Sequence, residues 1–384
     1  MDRTTLRRSL LGTGVFLLAA AAAGPTIPPT RIPEPQTAFA PFEYVCRRAA
    51  GPIKVDGRLD EPSWADADWT EVFGDIEGPA KPAPRFRTRA QMLWDDQYLY
   101  IGAYLEEPHI WATLTARDSI IFQDNDFEVF IDPDGDTHTY YELEMNALNT
   151  VWDLLLVKPY RDGGPAVHSW DIQGLKTGVR IMGTLNDPSD RDKAWTAEIA
   201  LPFAVLRECI PGKPDRPAPG DQWRVNFSRV EYQVTAESGA YVKSKDAGTG
   251  QPLPEDNWTW TPQGVVNIHY PEMWGYVQFS AKVPGGGQDK FDRKAEEKVK
   301  WALRRIYYAE RALYSERSAF GADLAALGFK GDQSLRIKGW SYPPAVRTTA
   351  SLFEAAYSAK NGESWHIRQD GLVWKEVPPK AAAK

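Results

Sequence analysis

Carboxylate side chains alternate with apolar ones along two neighbouring segments of the sequence, Phe127–Ile131 and Tyr140–Asn146. If both segments are β-strands, every second residue points to the same face of the sheet. That face then carries three carboxylates and one amide: Glu128, Glu142, Glu144 and Asn146. Fixed carboxylates and amides hydrogen-bond sugar hydroxyls, so this face could bind a polyhydroxylated ligand. The alternative is the solvated outer face of an antiparallel sheet.

Aromatic rings are a second chemical resource of this sequence. It contains 15 Trp, 16 Tyr and 15 Phe, so that tryptophan is as frequent as phenylalanine. A flat ring can stack on the apolar C–H face of a sugar, and a large ring can equally fill the core of a β-sandwich. Both explanations stay open at the level of composition, and they differ in whether the rings are exposed or buried.

An acidic turn follows the first of the two segments and places carboxylates at Asp132, Asp134 and Asp136. Alternate carboxylates in a turn can converge on one hard cation, and such oxygen ligands suit Ca²⁺. The spacing departs from an EF-hand loop, because the glycine comes fourth instead of sixth. A looser calcium site that includes Asp124 and Asp126 is a variant of this hypothesis. A hairpin turn rich in Asp and Gly, without metal, is the alternative.

Paired carboxylates could also hydrolyse glycosidic bonds. The candidates for that chemistry are Glu128, Glu142, Glu144, Asp153 and Glu198. No pair among them is singled out as acid and nucleophile. The five histidines are scattered without metal-ligand spacing, and no serine-nucleophile, phosphate-loop or dinucleotide motif is present. The sequence therefore predicts no organic cofactor, and it leaves an enzyme as the alternative to a binding protein.

Composition and charge narrow the class of protein. The chain has 384 residues, of which 42% are hydrophobic, and this is ample for packed cores. Its formal net charge is −7. Binding to nucleic acid phosphates requires a basic surface, so nucleic acid is not the expected partner.

Short apolar segments separated by turn residues extend from about residue 53 to 280 and predict strands. This pattern predicts a mainly β fold, an antiparallel β-sandwich of immunoglobulin-like or jelly-roll style. After a Gly-rich break, Asp292–Tyr314 has an amphipathic helical pattern, and short strand-like segments follow over residues 345–376. The C-terminal part is therefore predicted to be a small α+β module.

We predict five regions along the chain. Residues 1–24 are a signal peptide, 25–41 a Pro-rich linker and 42–281 the β-sandwich. Residues 282–289 form a second linker, and 290–384 form the C-terminal helix and meander.

The first 24 residues have the composition of a secretory signal. Arg3, Arg7 and Arg8 form a positive head, and the apolar stretch Leu10–Ala23 ends in small residues. No later stretch is long enough to span a membrane, so none is expected after signal removal. The sequence thus predicts a periplasmic or extracellular protein.

Two cysteines are present, Cys46 and Cys209. In an oxidising compartment they are expected to be able to form a disulfide. The alternative is a pair of buried, unbonded thiols.

Five strings, taken in order, resemble carbohydrate-binding module family 9, in the form found in secreted bacterial family 9-like proteins. They are Ile53–Trp64, Leu93–Tyr100, Asp124–Asp132, Trp195–Pro202 and Trp274–Phe279. The resemblance covers about residues 42–281. It implies an antiparallel β-sandwich, binding of sugar chain ends and structural calcium.

The resemblance also implies particular site residues. Glu128 and Asn146 match a glutamate and an asparagine of the sugar-binding members. Phe122 stands at the position of a tryptophan, and Glu144 stands at the position of an arginine. Replacement of Arg by Glu removes a fork of donors and adds a group that, when ionised, only accepts hydrogen bonds.

Several tryptophans belong to the family-like strings and are expected in the core: Trp64, Trp94, Trp195 and Trp274. Trp152, Trp258 and Trp260 are therefore the better candidates for stacking on a sugar. Trp258 and Trp260, with Trp274, also lie near the position of a second family tryptophan.

The leading hypothesis is a secreted, non-catalytic carbohydrate-binding protein that acts in polysaccharide recognition and catabolism. Its expected partner is an oligosaccharide or polysaccharide, with Ca²⁺ as a structural ion. One alternative is a glycoside hydrolase on the same sandwich. Another is an envelope-interaction protein that uses residues 290–384 as a docking module.

Overall fold

A computed structural model describes residues 31–210, 215–287 and 289–379 of this chain. The predicted signal peptide, residues 1–24, lies outside the described residues.

Nineteen strands and three α-helices are present in the described part of the chain. The first ten strands are β1 Glu43–Arg48, β2 Gly74–Asp75, β3 Thr88–Trp94, β4 Tyr98–Glu106, β5 Asp126–Asp132, β6 Tyr140–Asn146, β7 Val151–Leu156, β8 Ala166–Val167, β9 Lys176–Met182 and β10 Ala194–Pro202. The others are β11 Gln222–Glu231, β12 Val234–Glu237, β13 Ala240–Lys243, β14 Asp256–Thr259, β15 Gly275–Phe279, β16 Ala345–Thr348, β17 Phe353–Ser358, β18 Ser364–Arg368 and β19 Val373–Glu376. The helices are α1 Pro62–Ala65, α2 Phe203–Leu206 and α3 Glu297–Arg317.

The main sheet curls into two layers that share strand β1. The first layer has the order β8-β7-β6-β5-β11-β15-β1, and the second has the order β1-β3-β4-β10-β9. The first half of β1 pairs with β15, whereas Arg47 and Arg48 at its end pair with β3. The predicted mainly β sandwich is therefore confirmed.

One detail of the predicted sheet differs, because β1 runs parallel to both of its neighbours. The other pairings of the two layers are antiparallel. Strand β15 comes from the far end of the sandwich sequence, so no hairpin joins it to β1. A parallel pairing needs such a long connection, and the local sequence pattern does not show it.

The interior between the layers is built from the alternation that the sequence predicts. Phe127, Val129 and Ile131 of β5 point into it, as do Leu143 and Met145 of β6. Each of these side chains is at most 2% exposed. Because side chains alternate along a strand, the intervening residues of β5 and β6 must point to the other face of the first layer.

A second apolar cluster covers part of that other face. Phe130, Tyr140 and Trp274 pack together with Trp152 and Leu154. The first layer is therefore buried on both faces over much of its area, which a solvated outer sheet face would not be. This finding disfavours the solvated-face alternative.

The C-terminal residues form a helix and a four-stranded antiparallel sheet, β16-β17-β18-β19, as the sequence predicts. Helix α3 packs its apolar stripe, which includes Leu303 and Ile306, against this sheet and against the sandwich residues Tyr270 and Met273. The contact surface of α3 towards the sandwich is therefore already occupied, which removes it as a free docking face.

Buried ion pairs fasten the helix to the sandwich. On the sandwich side, Arg161 donates two hydrogen bonds of 2.8 Å to the carboxylate of Glu272, and Tyr308 Oη of α3 donates another to the same carboxylate. Arg311 and Tyr307 of α3 donate to Oδ1 of Asp162, at 2.7 and 2.6 Å. Burial of a charge is tolerated when it is paired and hydrogen-bonded in this way.

The structure does not contain the predicted disulfide. Cys46 and Cys209 are both free and buried. Cys46 lies in β1 opposite Phe279, whereas Cys209 donates its backbone N–H to Tyr141 Oη. Each thiol is packed among its own neighbours in the core, as the alternative of two buried thiols predicts.

A search of the described residues for helices long and apolar enough to cross a membrane finds none.

Glu272 makes the stability of the contact between α3 and the sandwich depend on pH. Burial by itself would raise the pKa of Glu272, but Arg161 and Arg304 outweigh burial and lower the pKa to about 2. A carboxylate whose pKa is depressed on folding stabilises the fold above its ordinary pKa, and loses this contribution as the pH falls towards 2. We expect Glu272→Gln to lower the free energy of unfolding by about 3 kcal/mol at pH 7, because it removes the closer carboxylate partner of Arg161 and leaves that buried guanidinium only the 3.3 Å contact with Asp162.

Urea titrations followed by circular dichroism between pH 7 and pH 3 test this expectation. Glu237→Gln, at an exposed position of β12, is the control. Equal pH profiles for wild type and Glu272→Gln would contradict the assigned role of the ion pair.

Candidate functional site

A row of four side chains crosses the outer face of the first layer. Ser228 of β11 pairs with Glu128 of β5, Glu128 pairs with Glu144 of β6, and Glu144 pairs with Trp152 of β7. Residues in direct register are close neighbours on one face of a sheet. The row therefore places two carboxylates side by side, with an aromatic ring next to them.

Glu128, Glu144 and Trp152 of this row form the floor of a cavity of about 350 Å³. Its walls come from loops and edge segments that lie over strands β5 to β7. The lining residues are Ile76, Phe122, Glu128, Glu142, Glu144, Trp152, Tyr160, Val230, Glu255, Asn257, Val266, Asn267, Ile268 and His269. Of the predicted carbohydrate-binding residues, the structure thus brings Phe122, Glu128, Glu144 and Trp152 together.

Two aromatic rings flank the carboxylates. The ring centroids of Phe122 and Trp152 are 6.4 Å apart, with an interplanar angle of 36°. Phe122 is 40% exposed, and Trp152 is 8% exposed and stacked at 5.6 Å on His168. The His168 contact fixes the plane of Trp152. The cavity therefore offers a ligand one exposed ring, Phe122, and one packed ring, Trp152.

Four carboxylates lie at or beside the cavity floor with little access to water. Burial raises the pKa of Glu128, Glu142 and Glu144, and repulsion between the carboxylates raises the pKa of Glu142 and Glu144 further. Asp126 behaves in the same way, with burial as the larger cause and Glu128 as the second. Within the described residues, none of the four forms an ion pair.

Backbone and side-chain donors hold one oxygen of several of these groups. Val230 N–H donates to Asp126 Oδ1 at 3.0 Å, and Phe122 N–H donates to Glu144 Oε2 at 2.9 Å. The hydroxyl of Ser228 hydrogen-bonds Glu128. The carboxylates are therefore fixed in place by the sandwich before any ligand arrives.

Asn146 is not part of the cavity lining. Its amide donates to Leu114 O and Asp124 Oδ2, and its Oδ1 accepts from the backbone N–H groups of Leu148 and Thr150. These four hydrogen bonds fix the β6–β7 turn and use all the polar atoms of the side chain. The prediction that Asn146 contacts the ligand is therefore not supported by its position.

The positions of Trp258 and Trp260 do not support the prediction that these rings stack on a sugar. Both are core residues, at 3% and 0% exposure. Trp260 donates its indole N–H to Glu71, and its ring fills the space where Gly275 has no side chain. Trp258 packs edge-on against Phe86. Neither ring is available for stacking on a sugar.

The acidic turn brings its three carboxylates together, with oxygen atoms of Asp132, Asp134 and Asp136 within 4.8 Å of one another. Both oxygens of Asp132 accept backbone N–H groups of the same turn, at 2.9 Å each. Lys300 of α3 acts electrostatically on Asp134 and Asp136. This turn already has donors and a cation as partners, and a calcium ion there stays a prediction.

Several cavity residues carry no signal in the sequence. Tyr160 follows β7 in a short 3₁₀ turn, and His269 lies in the loop before β15. The ring centroids of these two residues are 4.7 Å apart. Loop residues reach the cavity through the tertiary fold, whereas Glu142, like Glu128 and Glu144, follows from the strand alternation.

Comparisons with known proteins find one family match and several similar solved structures. Residues 55–179 match the family described as carbohydrate family 9 binding domain-like. No curated protein matches the sequence.

Three solved structures are similar. A candidate carbohydrate-binding protein from Bacteroides uniformis ATCC 8492 is 14% identical with a TM-score of 0.45, covering 63% of this chain and 100% of that one. A family 9 module from Caldicellulosiruptor kristjanssonii in complex with cellotriose is 15% identical with a TM-score of 0.39, covering 65% and 98%. The same module with glucose is 14% identical with a TM-score of 0.39, covering 65% and 100%.

The fold and site define a β-sandwich protein with a ligand-sized cavity on the outer face of a layer. The resemblance to carbohydrate-binding module family 9 that the sequence predicts is confirmed over residues 55–179. The matched segment contains strands β2 to β8, with Glu128, Glu144 and Trp152 of the cavity floor.

The crowded carboxylates give a prediction for stability in the absence of ligand. Glu142→Gln removes one negative charge from the cluster and leaves its shape almost unchanged. At pH 8 with a chelator present, we expect the free energy of unfolding to rise by about 1 kcal/mol, since one pKa unit of repulsion corresponds to about 1.4 kcal/mol.

Denaturant unfolding of the two proteins measures this difference, with exposed Glu237→Gln as the charge-matched control. A lower stability of Glu142→Gln than of wild type would show that Glu142 is compensated, in contradiction to its position in the structure.

Proposed function

We propose that this chain is a non-catalytic carbohydrate-binding protein and that the cavity over β5 to β7 binds an oligosaccharide or polysaccharide. The observation that carries the proposal is the combination of aromatic walls and fixed carboxylates in one cavity. Its volume of about 350 Å³ lies within the range of about 300–1,000 Å³ typical of ligand sites. The family match over residues 55–179 supports the same ligand class.

The cavity offers a sugar two kinds of contact. The rings of Phe122 and Trp152 present flat apolar surface to the C–H face of a pyranose ring. Glu128 and Glu144 accept hydrogen bonds from hydroxyl groups, and a carboxylate fixed by the backbone binds such donors without a large ordering cost. A neutral, polyhydroxylated ring fits this division into one apolar and one polar side.

The proposal extends to where the protein acts. We propose a secreted protein, periplasmic or extracellular, that serves polysaccharide recognition and catabolism and carries structural Ca²⁺ at Asp132, Asp134 and Asp136. The signal-like residues 1–24 support secretion. Fractionation of cells that express the full chain, with and without residues 1–24, tests this part.

Trp152 provides the test of the binding site. We expect Trp152→Ala to weaken saccharide binding at least about fivefold, because loss of aromatic stacking and apolar contact costs about 1–3 kcal/mol. Isothermal titration calorimetry against cello-, xylo- and manno-oligosaccharides, and pull-down with insoluble polysaccharides, measure the affinity.

Trp374→Ala is the matched control, because Trp374 lies on β19 and stacks on His366 away from the cavity. Equal affinities of wild type and Trp152→Ala would place the sugar elsewhere. No binding to any saccharide by the folded wild-type chain would refute the proposed function.

A glycoside hydrolase is the second candidate, since Glu128 and Glu144 face each other in register. Oxygen atoms of the two carboxylates come within 4.8 Å of each other, with Asp126 as a third neighbour. Retaining glycosidases hold their carboxyl groups about 5–5.5 Å apart, and inverting ones hold them farther apart, so that the scissile bond fits between them. Glu128 and Glu144 are near neighbours, as such a pair must be, and this proximity is the observation that favours the second candidate.

Reducing-sugar assays with the oligosaccharides that bind test this alternative. We expect no release above the rate of a Glu128→Gln, Glu144→Gln double variant. Release by wild type that the double variant lacks would establish the enzyme.

A further inference from the structure

A carboxylate cluster at the edge of the cavity floor is a feature that sugar binding alone does not explain. Oxygen atoms of Asp126, Glu128 and Glu144 all lie within 4.8 Å of one another. The three residues are at most 5% exposed. Two oxygens that bind one calcium ion, each at about 2.3–2.6 Å, are separated by at most about 5 Å. The spacing of the three carboxylates therefore suits a single cation between them.

A second, independent observation is an unpartnered oxygen in the cluster. Oδ2 of Asp126 has no hydrogen-bond partner among the described residues, although Asp126 is 0% exposed. Oε2 of Glu142, which lines the same cavity, is likewise buried without a partner. Buried polar atoms are nearly always satisfied, so an orphaned oxygen in the cluster and another in the neighbouring cavity lining indicate a missing partner.

The hydrogen bonds that do exist orient the cluster. Val230 N–H holds the Oδ1 atom of Asp126, which leaves Oδ2 for another partner. Phe122 N–H holds Oε2 of Glu144, and Ser228 holds Glu128. Donors that fix one oxygen of a carboxylate and leave the other free are the usual outer-shell arrangement around a metal ion.

The charge balance points to the same kind of partner. At the contact between α3 and the sandwich, the buried carboxylates of Asp162 and Glu272 each pair with arginines. In the cavity, by contrast, the described residues provide no ion pair to Asp126, Glu128, Glu142 or Glu144. An uncompensated buried charge is costly, and a cation supplies the compensation that the protein lacks.

We infer that Asp126, Glu128 and Glu144 bind a divalent, oxygen-preferring cation of the Ca²⁺ type, and that the saccharide binds at this cation. The second half of the inference rests on the proposed function. Glu128 and Glu144 line the cavity, so the cation has one side open to it. Hydroxyl oxygens of a sugar complete the coordination there, and Glu142 lies beside the ion. No covalent bond is formed or broken.

This site is distinct from the acidic turn of Asp132, Asp134 and Asp136. In the turn, Asp132 has both oxygens occupied by backbone N–H groups, and Lys300 supplies a positive charge. In the cavity the carboxylates have free oxygens and no such cation. The two candidate sites can therefore be separated by mutation.

Terbium luminescence and calcium calorimetry on the full chain test the cation site. Tb³⁺ replaces Ca²⁺, and Trp152, in register with Glu144, is placed to sensitise its emission. The titrations use an Asp134→Asn background, which disables the acidic turn. We expect one Ca²⁺ per chain in this background, and at least a tenfold loss of affinity in Glu144→Gln and in Asp126→Asn.

Exposed Glu237→Gln is the matched control, and circular dichroism checks that each variant is folded. No calcium binding in the Asp134→Asn background, or equal binding by folded Glu144→Gln, would overturn the inference.

Saccharide titrations with Ca²⁺ and with EDTA separate this inference from the proposed function. We expect binding with Ca²⁺ and at least a tenfold loss with EDTA. Equal saccharide binding in both buffers would overturn the inference and leave the proposed function standing. Calcium binding without any saccharide binding would refute the proposed function and the saccharide half of the inference. Metal-independent binding of glucosamine in preference to glucose would replace the metal by an organic cation, and so overturn the inference.

Discussion

Two glutamates that face each other across neighbouring strands constrain the rest of this structure. Like charges in direct register destabilise a sheet, and Glu128 and Glu144 are in addition almost completely buried. Their position follows from the core, because Phe127, Val129, Leu143 and Met145 must point between the layers. The alternation that builds the sandwich therefore also forces carboxylates to the opposite face, where a cavity collects them.

Buried carboxylates have two different kinds of surroundings in this structure. At the contact between α3 and the sandwich, Asp162 and Glu272 are matched by arginines and tyrosine hydroxyls, and this contact is structural. Glu142 in the cavity lining and Asp126 beside it keep unpartnered oxygens. The chain builds compensated pairs at the helix contact and, among the described residues, leaves these carboxylates without an ion pair at a cavity that a ligand can enter. This difference in charge compensation is the physical basis for the proposal that the cavity is a binding site.

The features that depend on local alternation could be predicted from the sequence. The β5 and β6 strands, the polar face of Glu128, Glu142 and Glu144, and the C-terminal helix with its meander are all local patterns, and all are present. The parallel pairing of β1 could not be predicted from the sequence, because long-range packing determines that β15 and β3 are its neighbours. The cavity walls are equally non-local, since Tyr160 and His269 come from loops far apart in sequence.

Burial explains the residues that the sequence placed wrongly. Composition cannot say whether a tryptophan is inside or outside, and Trp258 and Trp260 proved to be core, whereas Trp152 lies at the cavity. Asn146 has the right strand face, but its amide is used by the β6–β7 turn. Cys46 and Cys209 are both buried in the same core without being bonded. In each case the three-dimensional neighbours decide the role.

A crystal structure of the full chain grown with Ca²⁺ and a bound oligosaccharide tests the central claim most directly. The account predicts a sugar ring against Trp152 and Phe122, with its hydroxyls on a cation held by Asp126, Glu128 and Glu144. Well-ordered crystals with the sugar on another surface, or with the sugar in the cavity and no cation among these carboxylates, would contradict it.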